Sequence, residues 1–308
     1  MPKKMMVIGG VVIVTIVVLF LSLRIASCAR RDKPAAIVPV TGESPGPAKA
    51  VATQSDTDSA IARLEEIVSR NPDSKEAESA LFEEAAIYES RRDTLKAKEL
   101  YQKIMEKFPN SGNITKVQES LDNLNIRILF SPLVTEDSFL YEVQKGDTLT
   151  KLARRFGTTV ELIATSNGIR DNTIRIGKRL KVTKLKFSIV VDKSQNILTL
   201  KADGNVMKTY GVSTGKDFST PTGTFTITNK IVSPTWYTTG AVIPADDPKN
   251  ILGSRWLGIS KPGYGIHGTT EPQSIGKQVT AGCVRLKNSD VEELYTIVPA
   301  GTEVLIID

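Results

Sequence analysis

A thiol and an imidazole late in the chain are the residues best suited to chemistry. The sequence of 308 residues contains one histidine, His267, and two cysteines, Cys28 and Cys283. A cysteine attacks as its thiolate, and a neighbouring imidazole is a common means of removing the thiol proton. His267 and Cys283 are 16 positions apart, so they meet only if the intervening loop folds back. The alternative is that Cys283 is a small buried side chain of the core.

The scarcity of these residue types limits what else the chain can do. A zinc site needs more cysteine and histidine ligands than this chain has, and a disulfide framework needs more cysteines. We therefore predict no metal ion and no cofactor, which leaves this pair or carboxylates to do the chemistry. The formal net charge of +6 favours an anionic partner such as a phospholipid or a polyanionic wall polymer. No interleaving of aromatic and basic residues accompanies that charge, so we predict no nucleic acid.

Short strands must position the pair. From residue 186 onward, period-two alternation between Gly/Pro turns predicts strands that begin with 188–191, 197–200 and 206–210. Asp203-Gly204 is a strong signal for a hairpin turn. One helix is predicted after the thiol, where Ser289 and Glu292 fit a capping box. We predict a mostly-β sandwich with one helix over residues 186–308.

The passage around the pair matches a sequence signature: His-Gly, a spacer, then Ser/Thr-x-Gly-Cys-x-Arg/Asn. Here these are His267-Gly268 and TAGCVR at 280–285. The passage thereby resembles the L,D-transpeptidase (YkuD-type) catalytic family. Further agreement over residues 186–308 comes from VSTGK, TPTGTF, SPTWY, LGSRWLGI and GTEVLII. One departure is Ala281, where many members have histidine, and His267 remains the base that the resemblance implies.

The resemblance implies an acyl transfer. His267 would take the proton of Cys283, and the thiolate would attack the carbonyl of the third residue of a peptidoglycan stem peptide. The terminal D-alanine would leave, and an amine acceptor would then resolve the thioester. The backbone carbonyl of Gly268 would orient the imidazole through its other nitrogen.

Four further residues are candidates for the oxyanion and substrate sites. The backbone N–H groups of Gly282 and Cys283 would face the developing oxyanion. Arg285 is a candidate clamp for a substrate carboxylate, since guanidinium pairs with carboxylates bidentately; the alternative is a structural ion pair. Tyr264 and Trp236 would line the donor site, with plain packing as the alternative.

A compact pattern precedes the catalytic region. Residues 141–182 predict strand, helix, helix and strand, and the segments GDTL, FGTTVELI, SNGI and GKRLKV make this βααβ region, residues 139–184, resemble a LysM domain. The resemblance implies binding of glycans that contain N-acetylglucosamine, in a groove between two loops. Those loops hold Gly146, Asp147, Thr148 and Leu149, and Asn167, Gly168, Ile169 and Arg170. For Leu149, a place in the core is an equal alternative.

Residues 56–130 have apolar positions at helical spacing. The pattern Leu81, Ala85, Tyr88, Ala97, Tyr101 and Pro109 resembles a tetratricopeptide repeat (TPR). This TPR-like helical region is either a docking surface for a protein partner or a helical spacer. We favour the spacer, because fewer than three repeats rarely form a binding groove.

The N-terminal segment predicts an association with the membrane. Residues 5–23 form an uncharged, mostly apolar run of 19 residues, long enough to span a bilayer. We predict that residues 1–24 are a membrane anchor or signal segment, and we favour an uncleaved transmembrane helix over lipidation at Cys28 or ordinary cleavage. Residues 25–55 predict a Pro/Ala-rich linker. Basic residues after the run favour a cytoplasmic location for the C-terminal side of the span, whereas the wall-directed regions require the opposite side.

These regions together predict a multidomain protein: an N-terminal transmembrane helix, an α-helical TPR-like segment, a small βααβ LysM domain and a mostly-β sandwich. We expect a cysteine-dependent peptidoglycan L,D-transpeptidase of the bacterial cell envelope, anchored in the membrane with its LysM and catalytic domains outside the cytoplasm. Two alternatives stay open: an L,D-carboxypeptidase with water as acceptor, and a wall-binding scaffold with an inactive catalytic domain. The sequence leaves the acyl acceptor open.

Overall fold

The computed structural model describes residues 54–308. The predicted transmembrane helix, Cys28 and nearly all of the predicted linker therefore lie outside the described residues. Within residues 54–308, no helix is both long enough and apolar enough to cross a membrane.

Four helices form the first part of this region: α1 Gln54–Arg70, α2 Lys75–Ser90, α3 Thr94–Lys107 and α4 Ile114–Phe130. Ser74 and Asp93 cap α2 and α3, because their side chains accept the backbone N–H groups three residues further on. The apolar positions of the predicted repeat, among them Leu81, Ala85 and Tyr101, lie in one buried cluster. The helical prediction is thus confirmed for this stretch.

The βααβ region consists of β1 Ser138–Glu142, α5 Leu149–Phe156, α6 Val160–Ser166 and β2 Arg179–Thr183, and the two strands pair antiparallel. Thr148 and Thr159 cap the two helices through their side chains. Gly157 ends α5 in the left-handed conformation with φ of 64°, which glycine adopts without a steric penalty. The order of elements agrees with the sequence prediction.

The last region is built from β-strands around one helix. Its elements are β3 Phe187–Asp192, β4 Ile197–Ala202, β5 Asn205–Gly211, β6 Thr214–Gly215, β7 Gly223–Val232, β8 Trp236–Thr238, β9 Ala241–Ile243, β10 Arg255–Ile259, β11 Gly265–His267, β12 Gln278–Thr280, β13 Val284–Arg285, α7 Asn288–Ile297 and β14 Glu303–Ile307. Eight strands form one mixed sheet in the order β13-β11-β10-β7-β14-β3-β4-β5, beside two further strand pairs, β6 with β12 and the β8–β9 hairpin. The β-rich prediction is confirmed.

Strand β7 joins the two halves of this sheet. Its first four residues pair with β14, and its residues from Ile227 onward pair with β10. The strands of the predicted mostly-β sandwich therefore include one sheet that is continuous through β7. The helix α7 contributes Val291, Leu294 and Ile297 to the core that the sheet covers.

The predicted capping box of α7 is wrong. The helix begins at Asn288 with Lys287 as its N-cap, and no side chain caps it. The Ser289 hydroxyl instead donates to its neighbour Asp290, at 3.0 Å. The Asn288 side chain is bound to two loops that precede the helix.

Candidate active site

The sheet brings the imidazole and the thiol to neighbouring strands. β11 ends at His267, and β13 begins one residue after Cys283. The two strands are parallel, with His267 level with Arg285 and Ile266 level with Val284. The chain from 268 to 282 therefore folds back, which is the condition that the spacing of the pair imposed.

Cys283 is a free, half-buried thiol at the wall of a cavity of about 290 Å³. Its Sγ lies 3.8 Å from the carbonyl oxygen of Gly263. The cavity is lined by Ile231, Pro234, Thr235, Trp236, Tyr237, Leu252, Trp256, Gly263 and Cys283. None of these side chains carries a full charge at neutral pH apart from a deprotonated thiol, so Cys283 faces a largely apolar space.

His267 is held on two sides. Its Nδ1 lies 2.7 Å from the carbonyl oxygen of Gly268, and because a carbonyl only accepts, Nδ1 carries the proton. In the neutral ring, Nε2 is then the basic nitrogen. The ring stacks on Trp256 with centroids 5.9 Å apart and 19° between planes, and Trp256 also lines the cavity that Cys283 faces.

Burial favours the neutral form of both groups. His267 is 2% exposed, and burial lowers its pKa to about 4. Hydrogen bonds to the backbone of Gly268 and Leu252 raise the pKa, and the Arg285 charge lowers it further. Burial raises the pKa of Cys283, against the Gly265 backbone N–H and Arg285, which both lower it. The pair therefore rests as thiol and neutral imidazole at pH 7.

Gly282 shapes the turn before Cys283. Its φ is 130°, and a Cβ at this position would lie 2.7 Å from Cε1 of Tyr264. Its N–H donates to the Thr280 hydroxyl at 3.2 Å, and that hydroxyl donates to the Cys283 carbonyl at 2.7 Å. In this structure the threonine hydroxyl accepts the Gly282 N–H, and a role of this N–H toward an oxyanion stays a prediction.

Arg285 is 5% exposed, and its guanidinium is already engaged. Nη1 donates to Glu271 at 2.9 Å and to the Ser274 hydroxyl at 3.1 Å. This is the structural ion pair that the sequence left open as the alternative to a substrate clamp. The guanidinium also lowers the pKa of both His267 and Cys283, and its role as a substrate clamp stays a prediction.

The two aromatic candidates occupy different places. Trp236, the first residue of β8, lines the cavity. Tyr264 packs against the core and lies beside Gly282, so it supports the nucleophile turn. Of the two, Trp236 is in position to touch a substrate in the cavity.

Sequence comparisons agree with this arrangement. The chain matches the L,D-transpeptidase catalytic domain over residues 186–306, the LysM domain over 141–183 and the tetratricopeptide repeat over 79–111. A Bacillus subtilis (strain 168) protein named as an L,D-transpeptidase, YkuD, is 36% identical over 173 residues, which are 54% of this chain and 97% of that one. The chain belongs to the L,D-transpeptidase family. All three predicted resemblances are thus confirmed.

Other relatives cover less of the chain or are more distant. A second B. subtilis protein named as an L,D-transpeptidase, YqjB, is 41% identical over 39% of this chain and 70% of its own. YcfS of Escherichia coli K12, also named as an L,D-transpeptidase, is 28% identical over 58% of this chain and 64% of its own. A solved L,D-transpeptidase from Mycobacterium smegmatis matches 44% of this chain and 65% of that one at 25% identity, with a TM-score of 0.35, a structural similarity too low to add to the sequence match.

Most residues that line this site were not singled out from the sequence, and Leu252, Trp256 and Asn288 are three of the site residues that it missed. Leu252 and Trp256 line the cavity, and both lie in the segment LGSRWLGI, which matched the family without suggesting roles. Asn288 accepts the backbone N–H groups of Ser254 and Thr269 at 3.1 and 3.0 Å. Its position shortly after the signature was the only signal.

In the LysM region, several candidates for glycan binding have structural tasks. Leu149 is 3% exposed and belongs to the core, so the core alternative is correct and ligand contact is not. Asp147 accepts the Tyr141 hydroxyl and the Gln144 N–H, both at 2.8 Å. The Asn167 amide exchanges hydrogen bonds with the backbone of Lys181.

The remaining glycan candidates are distributed between surface and core. The exposed residues of the two loops are Gly146, Thr148, Gly168 and Arg170. Ile169 is partly buried against the core of the LysM region. Glycan contact therefore stays a prediction for the exposed residues of these loops.

Proposed function

We propose that this chain is a peptidoglycan L,D-transpeptidase in which Cys283 forms a thioester with a stem peptide. The observation that carries the proposal is the position of His267: its Nδ1 is fixed on the Gly268 carbonyl, which leaves Nε2 as the base on the strand next to the thiol. Family membership supports the reaction class. The LysM and transpeptidase domains both imply peptidoglycan as the partner.

The proposed acylation moves one proton and one acyl group. His267 Nε2 takes the proton of Cys283 as Sγ attacks the carbonyl carbon of the third stem residue. The tetrahedral intermediate collapses, the bond to the terminal D-alanine breaks, and the imidazolium returns its proton to the leaving amine. An amine acceptor then attacks the thioester, gives its proton to His267 and releases the thiol. The Cys283 N–H is the donor that we assign to the oxyanion.

We also propose that the enzyme works in the bacterial cell envelope, outside the cytoplasm, with residues 1–24 anchoring it to the membrane. The support is indirect: the apolar run of residues 5–23 and two domains directed at peptidoglycan, a polymer outside the cytoplasm. Protease accessibility of the LysM region in intact spheroplasts tests the orientation, and protection from the protease would contradict it.

Intact-protein mass spectrometry with a carbapenem tests the nucleophile. A Cys28→Ser chain retains Cys283 as its one thiol, and we expect a single adduct on it. The Cys28→Ser/Cys283→Ala chain is the matched control and should show none. A folded Cys28→Ser protein without an adduct would sink the proposed thioester chemistry and favour a wall-binding scaffold.

Stem peptides then separate the two enzymatic outcomes. With a tetrapeptide donor and an amine acceptor, a transpeptidase releases D-alanine and forms a new amide. Release of D-alanine with only the tripeptide acid as product would identify the carboxypeptidase instead. The ratio of these products at increasing acceptor concentration is the measurement.

A further inference from the structure

Asn288 is the first residue of α7, but its side chain faces the catalytic loops. Its Oδ1 accepts two backbone N–H groups, from Ser254 at 3.1 Å and from Thr269 at 3.0 Å. These donors come from two separate loops, one before β10 and one after β11. One amide oxygen therefore ties both loops to the start of the helix.

The bond from Thr269 reaches the catalytic histidine through a single peptide group. The N–H of Thr269 and the C=O of Gly268 belong to the same planar unit. Its N–H end is held by Asn288, and its C=O end lies 2.7 Å from Nδ1 of His267. Fixing one end of a rigid plane fixes the direction of the other, and hydrogen bonds in such a chain polarise each other.

The surrounding sequence leaves room for this amide. A Cβ at Gly268 or at Gly253 would overlap the Oδ1 of Asn288. Gly253 also has φ of 66°, a conformation that side-chain-bearing residues rarely adopt. Two glycines from different loops thus make space for the same oxygen, so that the amide can approach both backbones.

We propose that Asn288 is a positioning residue, which holds the Gly268–Thr269 peptide group so that its carbonyl keeps the proton of His267 on Nδ1 and leaves Nε2 free to accept the proton of Cys283. This inference rests on the proposed function for its catalytic consequence. The tautomer itself is a property of the free protein. A neutral amide suits the place, since it accepts two N–H groups without adding a charge beside the buried ring.

The single histidine makes the tautomer directly measurable. In a chain labelled with ¹⁵N-histidine, a long-range ¹H–¹⁵N spectrum at pH 7 shows one ring, and the protonated nitrogen is distinguished from the bare one by its chemical shift. For the wild type in detergent we expect the proton on Nδ1. Asn288→Ala should give a mixture of tautomers, whereas Asn288→Asp keeps the acceptor and should keep the wild-type tautomer.

Acylation kinetics supply the second readout. With a carbapenem, Asn288→Ala should slow the acylation step on the order of 10²-fold with little change in initial binding. Asn288→Asp should recover most of that loss, and the His267 ring should then titrate at a higher pH. A purely structural role would lower stability without moving the tautomer or separating the acylation step from binding.

Several results would overturn the inference. A wild-type His267 ring protonated on Nε2 would overturn the inference. This result needs no variant, so it holds even if Asn288→Ala fails to fold. A folded Asn288→Ala chain with the wild-type tautomer and an acylation rate within about twofold of the wild type would also overturn the inference. If the wild type forms no adduct while the tautomer depends on Asn288 as expected, the proposed function fails and the positioning role stands.

Discussion

Burial favours the uncharged form of both His267 and Cys283, although the first is a base and the second an acid. Burial lowers the pKa of the imidazole to about 4 and raises that of the thiol, so neither group is charged at rest. The Arg285 guanidinium favours thiolate and disfavours imidazolium, and it cannot stabilise both members of an ion pair. The residues therefore suit a mechanism in which proton transfer accompanies attack, in preference to a resting thiolate–imidazolium pair.

The buried histidine makes stability depend on pH. Its folded pKa of about 4 lies below the ordinary value of 6.5, so between these values the unfolded chain binds a proton that the folded chain does not. The free energy of unfolding should fall as pH drops through this range, by about 3 kcal/mol at pH 4. Urea unfolding at pH 7 and pH 4 should show a larger loss for the wild type than for His267→Gln.

Since the chain has a single histidine, the difference between the two losses isolates this group from the titrating carboxylates. Equal losses in the two proteins would contradict burial of a neutral ring. A larger loss in His267→Gln would show that the ring is charged and paired in the folded state.

At this scale the sequence singled out His267, Cys283 and the Gly268 carbonyl that contacts His267, but not the hydrogen-bond partners of Arg285 and Gly282. His267, Gly268 and Cys283 are fixed by a local signature. The partner of Arg285 is Glu271, a residue of the intervening loop, and the Gly282 N–H binds a threonine two residues earlier. Such choices depend on how the loop folds back, which local spacing does not determine.

At the scale of elements, the β8–β9 hairpin determines the outer wall of the cavity. Trp236 and Tyr237 line it, and Tyr237 is 76% exposed. Val242 lies opposite Tyr237 in the hairpin register and is absent from the cavity wall. The part of this hairpin that lines the cavity is thus its first strand.

We expect Trp236→Ala to lower kcat/KM for a stem-peptide donor on the order of tenfold, because it removes a large apolar surface from the cavity. Val242→Ala, on the same hairpin, should stay within about twofold of the wild type. Steady-state kinetics of D-alanine release measure both. Equal effects of the two substitutions would mean that the hairpin acts only through its fold.

The strength of the local signal decided which elements the sequence could predict. β3, β4 and β5 are six or seven residues long and their alternation, with the Asp203-Gly204 turn, was sufficient. β6, β8, β9 and β11 to β13 have two or three residues each, too few to show a period. The start of α7 was mistaken because Asn288 binds loops from 254 and 269, so that tertiary contacts replaced the capping box.

At the scale of the whole molecule, the three regions in residues 54–308 pack as one unit. The Lys181 ammonium of β2 is buried and donates to the carbonyls of Ile128 and Ser131 at 2.7 and 2.9 Å, at the end of α4. The Thr159 hydroxyl, at the start of α6, donates to the carbonyl of Thr296 in α7. The LysM region is therefore fastened to both of its neighbours. These contacts favour a rigid helical spacer over a freely moving docking module.

A buried carboxylate fastens the helical region to the catalytic sheet. Asp122 of α4 is 6% exposed. Its Oδ2 accepts the backbone N–H of Thr209 in β5 at 2.9 Å, and its Oδ1 accepts the Gln118 side chain at 2.7 Å. Burial raises the pKa of this carboxyl. Partial desolvation of the charge therefore destabilises the interface, while the two hydrogen bonds stabilise it.

Two substitutions at Asp122 distinguish the cost of the buried charge from the benefit of the hydrogen bonds. Asp122→Ala leaves the Thr209 N–H without its acceptor and should lower the free energy of unfolding by roughly 1–3 kcal/mol. Asp122→Asn retains an acceptor without the charge, so at pH 7 it should be at least as stable as the wild type.

Glu119→Ala, an exposed change on the same helix, is the control and should stay within about 0.5 kcal/mol of the wild type in its free energy of unfolding. Chemical unfolding and amide exchange at Thr209 measure the interface, while the rate of Cys283 acylation should stay unchanged in all three. An Asp122→Asn chain as unstable as Asp122→Ala would show that the charge, attracted to Lys208 across the interface, holds the two regions together.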